Sequence, residues 1–227
     1  MIKPLRTTRK ARAALAAAAV TGCLVTLSPS AGATAATAAA APPGRVTVDV
    51  ASVNGSGCRP GSAAVAVAPD NSAFTVTYSE YLASAGGGVA ATEGRKNCLL
   101  SLLVHVPQGY TYAVSHVDYR GFADLQPGAV GTQKASYYFQ GMSQTANRTH
   151  QFHGALADNW QVTDTTGIEA LVFAPCGEQR NFNINTELRA EVGTSDKNKT
   201  SYMTVDSTDG SINSVYHFSW KECPVRR

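Results

Sequence analysis

Beyond residue 45 the chain alternates apolar and polar side chains with a period of two, in many short runs. Residues 45–53 set Val46, Val48 and Val50 against Arg45, Thr47 and Asp49. Phe74, Val76 and Tyr78 alternate with Thr75 and Thr77. Residues 182–190 are the clearest case. Phe182, Ile184, Leu188 and Ala190 point one way; Asn183, Asn185, Glu187 and Arg189 point the other. This is the period of a strand with one covered face and one wet face. Residues 99–106 are apolar on both faces and end at Pro107, which predicts a central strand. Runs at 63–68, 110–119, 135–140, 149–152, 160–163, 202–205 and 215–220 extend the set. On the last of these Tyr216, Phe218 and Trp220 share one face and are expected in the core. Asp209-Gly210, between the final two runs, predicts a hairpin. The short apolar run at 170–174 is expected to be buried. No stretch repeats apolar residues at helical spacing over ten or more positions. About ten strands separated by turn residues predict an all-β fold, a single antiparallel β-sandwich.

The first 41 residues break this pattern. Lys3, Arg6, Arg9, Lys10 and Arg12 precede an apolar run that begins at Ala13, and an Ala/Thr/Gly tract follows. This order reads as a signal peptide with an Ala/Thr-rich leader, Ala33-Thr34-Ala35 being one cleavage option. Residues 42–227 then form one secreted domain. Val20-Thr21-Gly22-Cys23 resembles a lipobox, so a lipid anchor at Cys23 on the cell surface is the alternative to release. Leu24, Val25 and Leu27 continue the apolar run where a lipoprotein turns polar, which favours release. Past the leader no apolar stretch approaches the ~18 residues of a transmembrane segment.

Charge changes the picture once the leader is set aside. The whole chain carries +3, but five of its 19 Lys and Arg and none of its 16 Asp and Glu fall in residues 1–41. The rest has 14 basic against 16 acidic groups, a net −2. Such a domain has no field with which to hold a phosphate backbone, so nucleic acid is not an expected partner.

Cysteine use agrees with export. Cys23 lies in the leader, leaving Cys58, Cys98, Cys176 and Cys223. Four cysteines in an oxidising compartment imply two disulfides, with three connectivities open. Cys58–Cys98 with Cys176–Cys223 is the favoured set, because each bond closes a loop of about 40 residues. No cysteine pair has the spacing of a zinc hairpin.

Short motifs add a family resemblance. They run in order from Gly55-Ser56-Gly57-Cys58-Arg59-Pro60-Gly61-Ser62 through Arg95-Lys96-Asn97-Cys98, Pro107-Gln108-Gly109-Tyr110 and Asp118-Tyr119-Arg120-Gly121. Tyr137-Tyr138-Phe139, Pro175-Cys176-Gly177, Asp206-Ser207-Thr208-Asp209-Gly210-Ser211 and Trp220 to Cys223 complete the set. Together they resemble the secreted family called domain of unknown function 4360, over roughly residues 46–223. Arg59 before Pro60 departs from the small residue or proline expected there. The resemblance implies secretion and a four-cysteine domain. It transfers no catalytic residue.

Candidate chemistry is sparse. A flat ring can stack on a sugar while amides and carboxylates beside it exchange hydrogen bonds. Trp160 with Asp158 and Asn159, in a stretch read as turn-rich, has that chemistry, and Tyr119 beside Arg120 is a further candidate. The competing reading is that these rings fill the core. The leading expectation is a non-enzymatic binding or surface module for extracellular or cell-wall polysaccharide. The alternative is a small hydrolase using paired carboxylates from Asp158, Asp164, Asp206 and Asp209. A third reading is an inhibitor or interaction domain presenting an exposed loop at 83–92. No metal ligand set or cofactor motif is visible. His150 and His153 fall on opposite faces of a strand, and His217 is expected to face solvent. Asp206, Ser207 and Asp209 miss the spacing of a calcium loop. No G-x-S-x-G elbow marks a serine nucleophile.

Overall fold

The computed structural model describes residues 40–205 and 214–224. Residues 1–39, Cys23 among them, and Asp206 and Asp209 lie outside them. Twelve strands form among the described residues: β1 (Thr47–Asn54), β2 (Ala63–Val67), β3 (Ala73–Tyr78), β4 (Leu82–Ala85), β5 (Arg95–His105), β6 (Tyr110–Leu125), β7 (Val130–Phe139), β8 (Ala146–His153), β9 (Leu156–Thr165), β10 (Phe182–Glu191), β11 (Ser201–Thr204) and β12 (Ser214–Glu222). They make two antiparallel sheets. The smaller has the order β1-β5-β10-β7-β8. The larger has the order β2-β3-β12-β6-β11-β4, with β9 on the free side of β6.

The inward faces carry the residues that alternation selects. Phe182, Ile184, Leu188 and Ala190 on β10 are buried, as are Tyr216, Phe218 and Trp220 on β12. Rings of the two sheets meet across the core. Tyr112 of β6 lies 5.5 Å from Phe139 of β7 and 6.4 Å from Phe182 of β10, centroid to centroid. Burying side chains of this size contributes roughly 1.5–3 kcal/mol each, which makes the inter-sheet contact the main source of stability. β5 lies between β1 and β10; Leu100, Leu102 and Val104 are buried, whereas Leu99 and Leu103 on its other face are half-buried. The favoured disulfides, Cys58–Cys98 and Cys176–Cys223, both form.

Three local expectations are corrected. The segment 83–92 is a free loop only in part: Gly87, Gly88 and residues 90–92 are exposed, but its first residues are not. It begins within β4, Ala83 is fully buried, and Gly87 N–H donates to Lys197 O at 3.0 Å. The strands flanking Asp209-Gly210 do not form a hairpin with each other. β11 pairs with β6 at Ala123–Asp124, whereas β12 pairs with it from Tyr110 to Asp118. The run at 170–174 is mostly half-buried coil; Ala174 is its buried residue, tied to β6 through Tyr112 O and Thr111 Oγ1.

Strand β6 also breaks its own alternation. Val114 is opposite Phe218 and His116 is opposite His217, which leaves Ser115 as an extra residue in a β-bulge. Tyr112 and Val114 face the core before the bulge, whereas Val117 and Tyr119 are buried after it. A bulge re-aims the side chains that follow it. Here it turns His116 and Asp118 to the face opposite Val117 and Tyr119.

Candidate functional site

The aromatic residues singled out from the sequence are core residues. Trp160 is 5 % exposed and packs on Phe152 with ring centroids 5.1 Å apart. It sits within β9, not in a turn-rich stretch. Gly121 is opposite it on β6, where any Cβ would fall 2.6 Å from the Trp160 ring. Tyr119 is completely buried. Neither ring has an open face for stacking on a sugar, which corrects the reading of both as ligand platforms. Asp158 and Asn159 are exposed on the same strand, and Asn159 N–H caps the Asp158 carboxylate at 2.7 Å.

Among the described residues, Asp158 and Asp164 do not form a carboxylate pair. Asp158 and Asp164 share one face of β9 six residues apart, a separation of roughly 20 Å at 3.3 Å per residue. Two-carboxylate glycoside hydrolysis needs roughly 5–10 Å.

Asp164 nonetheless has the most developed surroundings of any acid among the described residues. It is 5 % exposed and links the two sheets. His150 Nε2 of β8 lies 2.6 Å from its Oδ1, and Tyr137 of β7 donates to its Oδ2 at 3.0 Å. Behind Tyr137 stand Tyr119, at 2.5 Å between hydroxyl oxygens, and then Tyr216 at 3.3 Å from Tyr119. A carboxylate only accepts, and each phenol has one proton to donate. The chain therefore runs in one direction, Tyr216 to Tyr119 to Tyr137 to Asp164. Burial holds all three phenols well above the usual tyrosine range, so they stay protonated donors. Such a chain polarises along its length and ends on the Asp164 side chain.

This carboxylate lines a cavity of about 50 Å³ between the sheets. Val117, Phe139, Val172 and Phe182 form apolar walls, and Arg148 lines the same cavity as Asp164. Arg148 is oriented by its own bonds to Asn147 O and Thr165 O. Exposed Gln144 and Ala170 form the rim, so the cavity reaches the surface. Apolar walls around a few convergent polar groups are the usual form of a ligand site. Asp164 is a candidate acid from the sequence, but nothing in the sequence marks His150 and Tyr137 as its partners or Arg148 as a neighbour in the cavity lining. Only the pairing of β7 with β8 and β6 with β9 brings them together.

A second cluster lies on β6 and β12, and its His116 also lines the cavity at Asp164. His116 and Asp118 of β6 and His217 of β12 place their ligand atoms within 4.8 Å of one another. The two imidazoles are stacked, with centroids 3.7 Å apart and planes 14° from parallel. His217 Nε2 meets Asp118 Oδ2 at 3.0 Å. Burial, and then the neighbouring His217, hold the His116 imidazole below the usual histidine range. His217 is half-buried rather than facing open solvent.

Comparison with known proteins fits these observations to a family. The family model described as "Domain of unknown function (DUF4360)" matches residues 44–223. An "Uncharacterized secreted protein" of Arthroderma benhamiae is 32% identical over 181 residues, covering 80% of this chain and 73% of that protein.

Proposed function

We propose that this chain, which belongs to the family Domain of unknown function (DUF4360) and is secreted, is a non-enzymatic extracellular binding module. Its ligand is a polysaccharide of the cell wall or surroundings, and its site is the inter-sheet mouth at Asp164. The observation that carries this reading is a buried carboxylate, fed by a one-way chain of phenols, at a small apolar-walled opening. A carboxylate so placed accepts hydrogen bonds from sugar hydroxyls, and the apolar walls take the C–H face of a substituent. At about 50 Å³ the cavity has room for a hydroxymethyl or acetyl group rather than a whole sugar ring. Selectivity would then lie in the substituents of the glycan. Among the described residues Asp164 is the one acid that lines this mouth, and His116 lines it as well, so the two-carboxylate pair of a glycoside hydrolase is not formed there.

The test is retention of the exported protein on insoluble polysaccharides and cell walls, with Ala146→Trp and His153→Ala beside it. Ala146 lines the mouth, and an indole there would fill it. His153 is exposed on β8 and serves as the control. The expected result is retention of the parent and of His153→Ala, and a loss of about tenfold or more in Ala146→Trp, equivalent to about 1.4 kcal/mol. Equal retention of all three would remove the mouth as the site. Failure of the parent to bind any material would remove the polysaccharide reading itself.

A further inference from the structure

We propose that His116, Asp118 and His217 bind a divalent transition-metal ion of the zinc type where β6 and β12 pair in the larger sheet. The placement follows from topology. His116 and His217 are cross-strand neighbours in the β6–β12 ladder, and Asp118 is two residues on from His116 along the same face. The Ser115 bulge is what brings His116 to that face, since without it the alternation from Tyr112 and Val114 would carry it inward.

The separations suit one ion. Their ligand atoms lie within 4.8 Å of one another. A tetrahedral ion with bonds of 2.0–2.2 Å holds its ligand atoms roughly 3.3–3.5 Å apart. Closing that difference turns the two rings out of their stack, because the in-plane lone pairs of near-parallel imidazoles do not converge on one ion. Two imidazoles and one carboxylate leave a fourth position for water or an outside ligand. The mixed donor set selects zinc or copper over calcium or magnesium, which take oxygen ligands.

The groups around the cluster are arranged as ligand supports. Ser115 Oγ donates to His217 O at 3.2 Å, so its one proton is used. The contact between Ser115 Oγ and His116 Nδ1, at 3.4 Å, is then donated by the imidazole. That leaves the lone pair of His116 on Nε2. Thr163 of β9 donates to Asp118 Oδ1 at 2.5 Å, and Oδ2 is left to meet His217. Outer hydrogen bonds of this kind orient ligands in metal sites. A simple ion pair explains His217 and Asp118. It does not explain a second imidazole stacked on the first with its lone pair held available. The side chains of His217 and Asp118 are 29% and 23% exposed, so an ion can enter from solvent.

The experiment is calorimetric titration of the exported, chelator-stripped protein with zinc chloride. One saturable site per chain is expected. Affinity should fall about 100-fold in His116→Ala and in His217→Ala, and about 10–100-fold in Thr163→Val, which touches no ion itself. His153→Ala should bind as the parent does. Unfolding midpoints measured in chelator confirm that each variant is folded. Should a histidine variant fail to fold, Thr163→Val and zinc-dependent shifts of the His116 and His217 ring protons in NMR spectra decide the matter. No saturable uptake by the parent, or uptake retained when both histidines are replaced, would overturn the assignment. The readout is metal uptake, so it stands or falls separately from glycan binding.

Discussion

Trp160→Ala is expected to destabilise the protein by about 3–5 kcal/mol, the cost of emptying a large buried aromatic site. The indole is 5 % exposed, packs on Phe152, and fills the space that Gly121 leaves on the adjacent strand. β9 pairs with β6 alone, so the side chain fastens an outer strand to the core. Denaturant unfolding followed by circular dichroism reads the effect. The midpoint should fall while the slope stays that of the parent, since the surface exposed on unfolding is nearly the same. A loss below about 1 kcal/mol would place the ring nearer solvent than its packing indicates. Any failure of this variant to bind a ligand would report unfolding, which makes it a poor probe of the site.

Removing a disulfide should cost as much. The bonds close loops of 40 and 47 residues. In the chain-entropy model each contributes about 4 kcal/mol by restricting the unfolded chain. Cys58–Cys98 joins the segment after β1 to central strand β5, and both its sulfurs are buried. Cys176–Cys223 ties the end of β12 to the segment that precedes β10. The Cys58→Ala/Cys98→Ala pair should therefore lose slightly more than the Cys176→Ala/Cys223→Ala pair, because it also empties core volume. Unfolding midpoints of both double variants measure this. A loss under about 1 kcal/mol from either would show that its bond constrains little.

The strands were legible where one face is covered and the other wet. β10 and β12 alternate over most of their length, Thr186 being the polar residue on the inner face of β10, so Ile184, Leu188, Tyr216 and Phe218 could be assigned to the core from their spacing alone. β4 has four residues, too few for a period to register. The bulge at Ser115 was illegible for another reason. An extra residue shifts the phase of alternation, and nothing local in Val114-Ser115-His116 marks the shift. Trp160 was misread because Asp158, Asn159 and Asp164 around it resemble loop composition. β9 lies at the edge of its sheet, and water reaches most of its residues other than Trp160, Val162 and Asp164.

The site was less legible than the fold. Asp164 stands 27 residues from Tyr137 and 14 from His150, and the phenol chain continues to Tyr216. His116 and His217 are 101 positions apart. Such groups meet only through strand order, and alternation says which face a residue takes without saying which strand lies beside it. Tyr137 had no local signal, since Tyr137-Tyr138-Phe139 reads as one more aromatic strand.

The most direct test of the binding reading is a ¹H–¹⁵N NMR titration of the exported protein with soluble fragments of whichever polysaccharide retains it. The account predicts shifts concentrated at Gln144, Ala146, Arg148, Asp164 and Val172, the residues of the inter-sheet mouth. It also predicts no comparable change at Asp158 and Asn159. Shifts centred on that exposed pair, or spread evenly over the outer sheet faces, would contradict it.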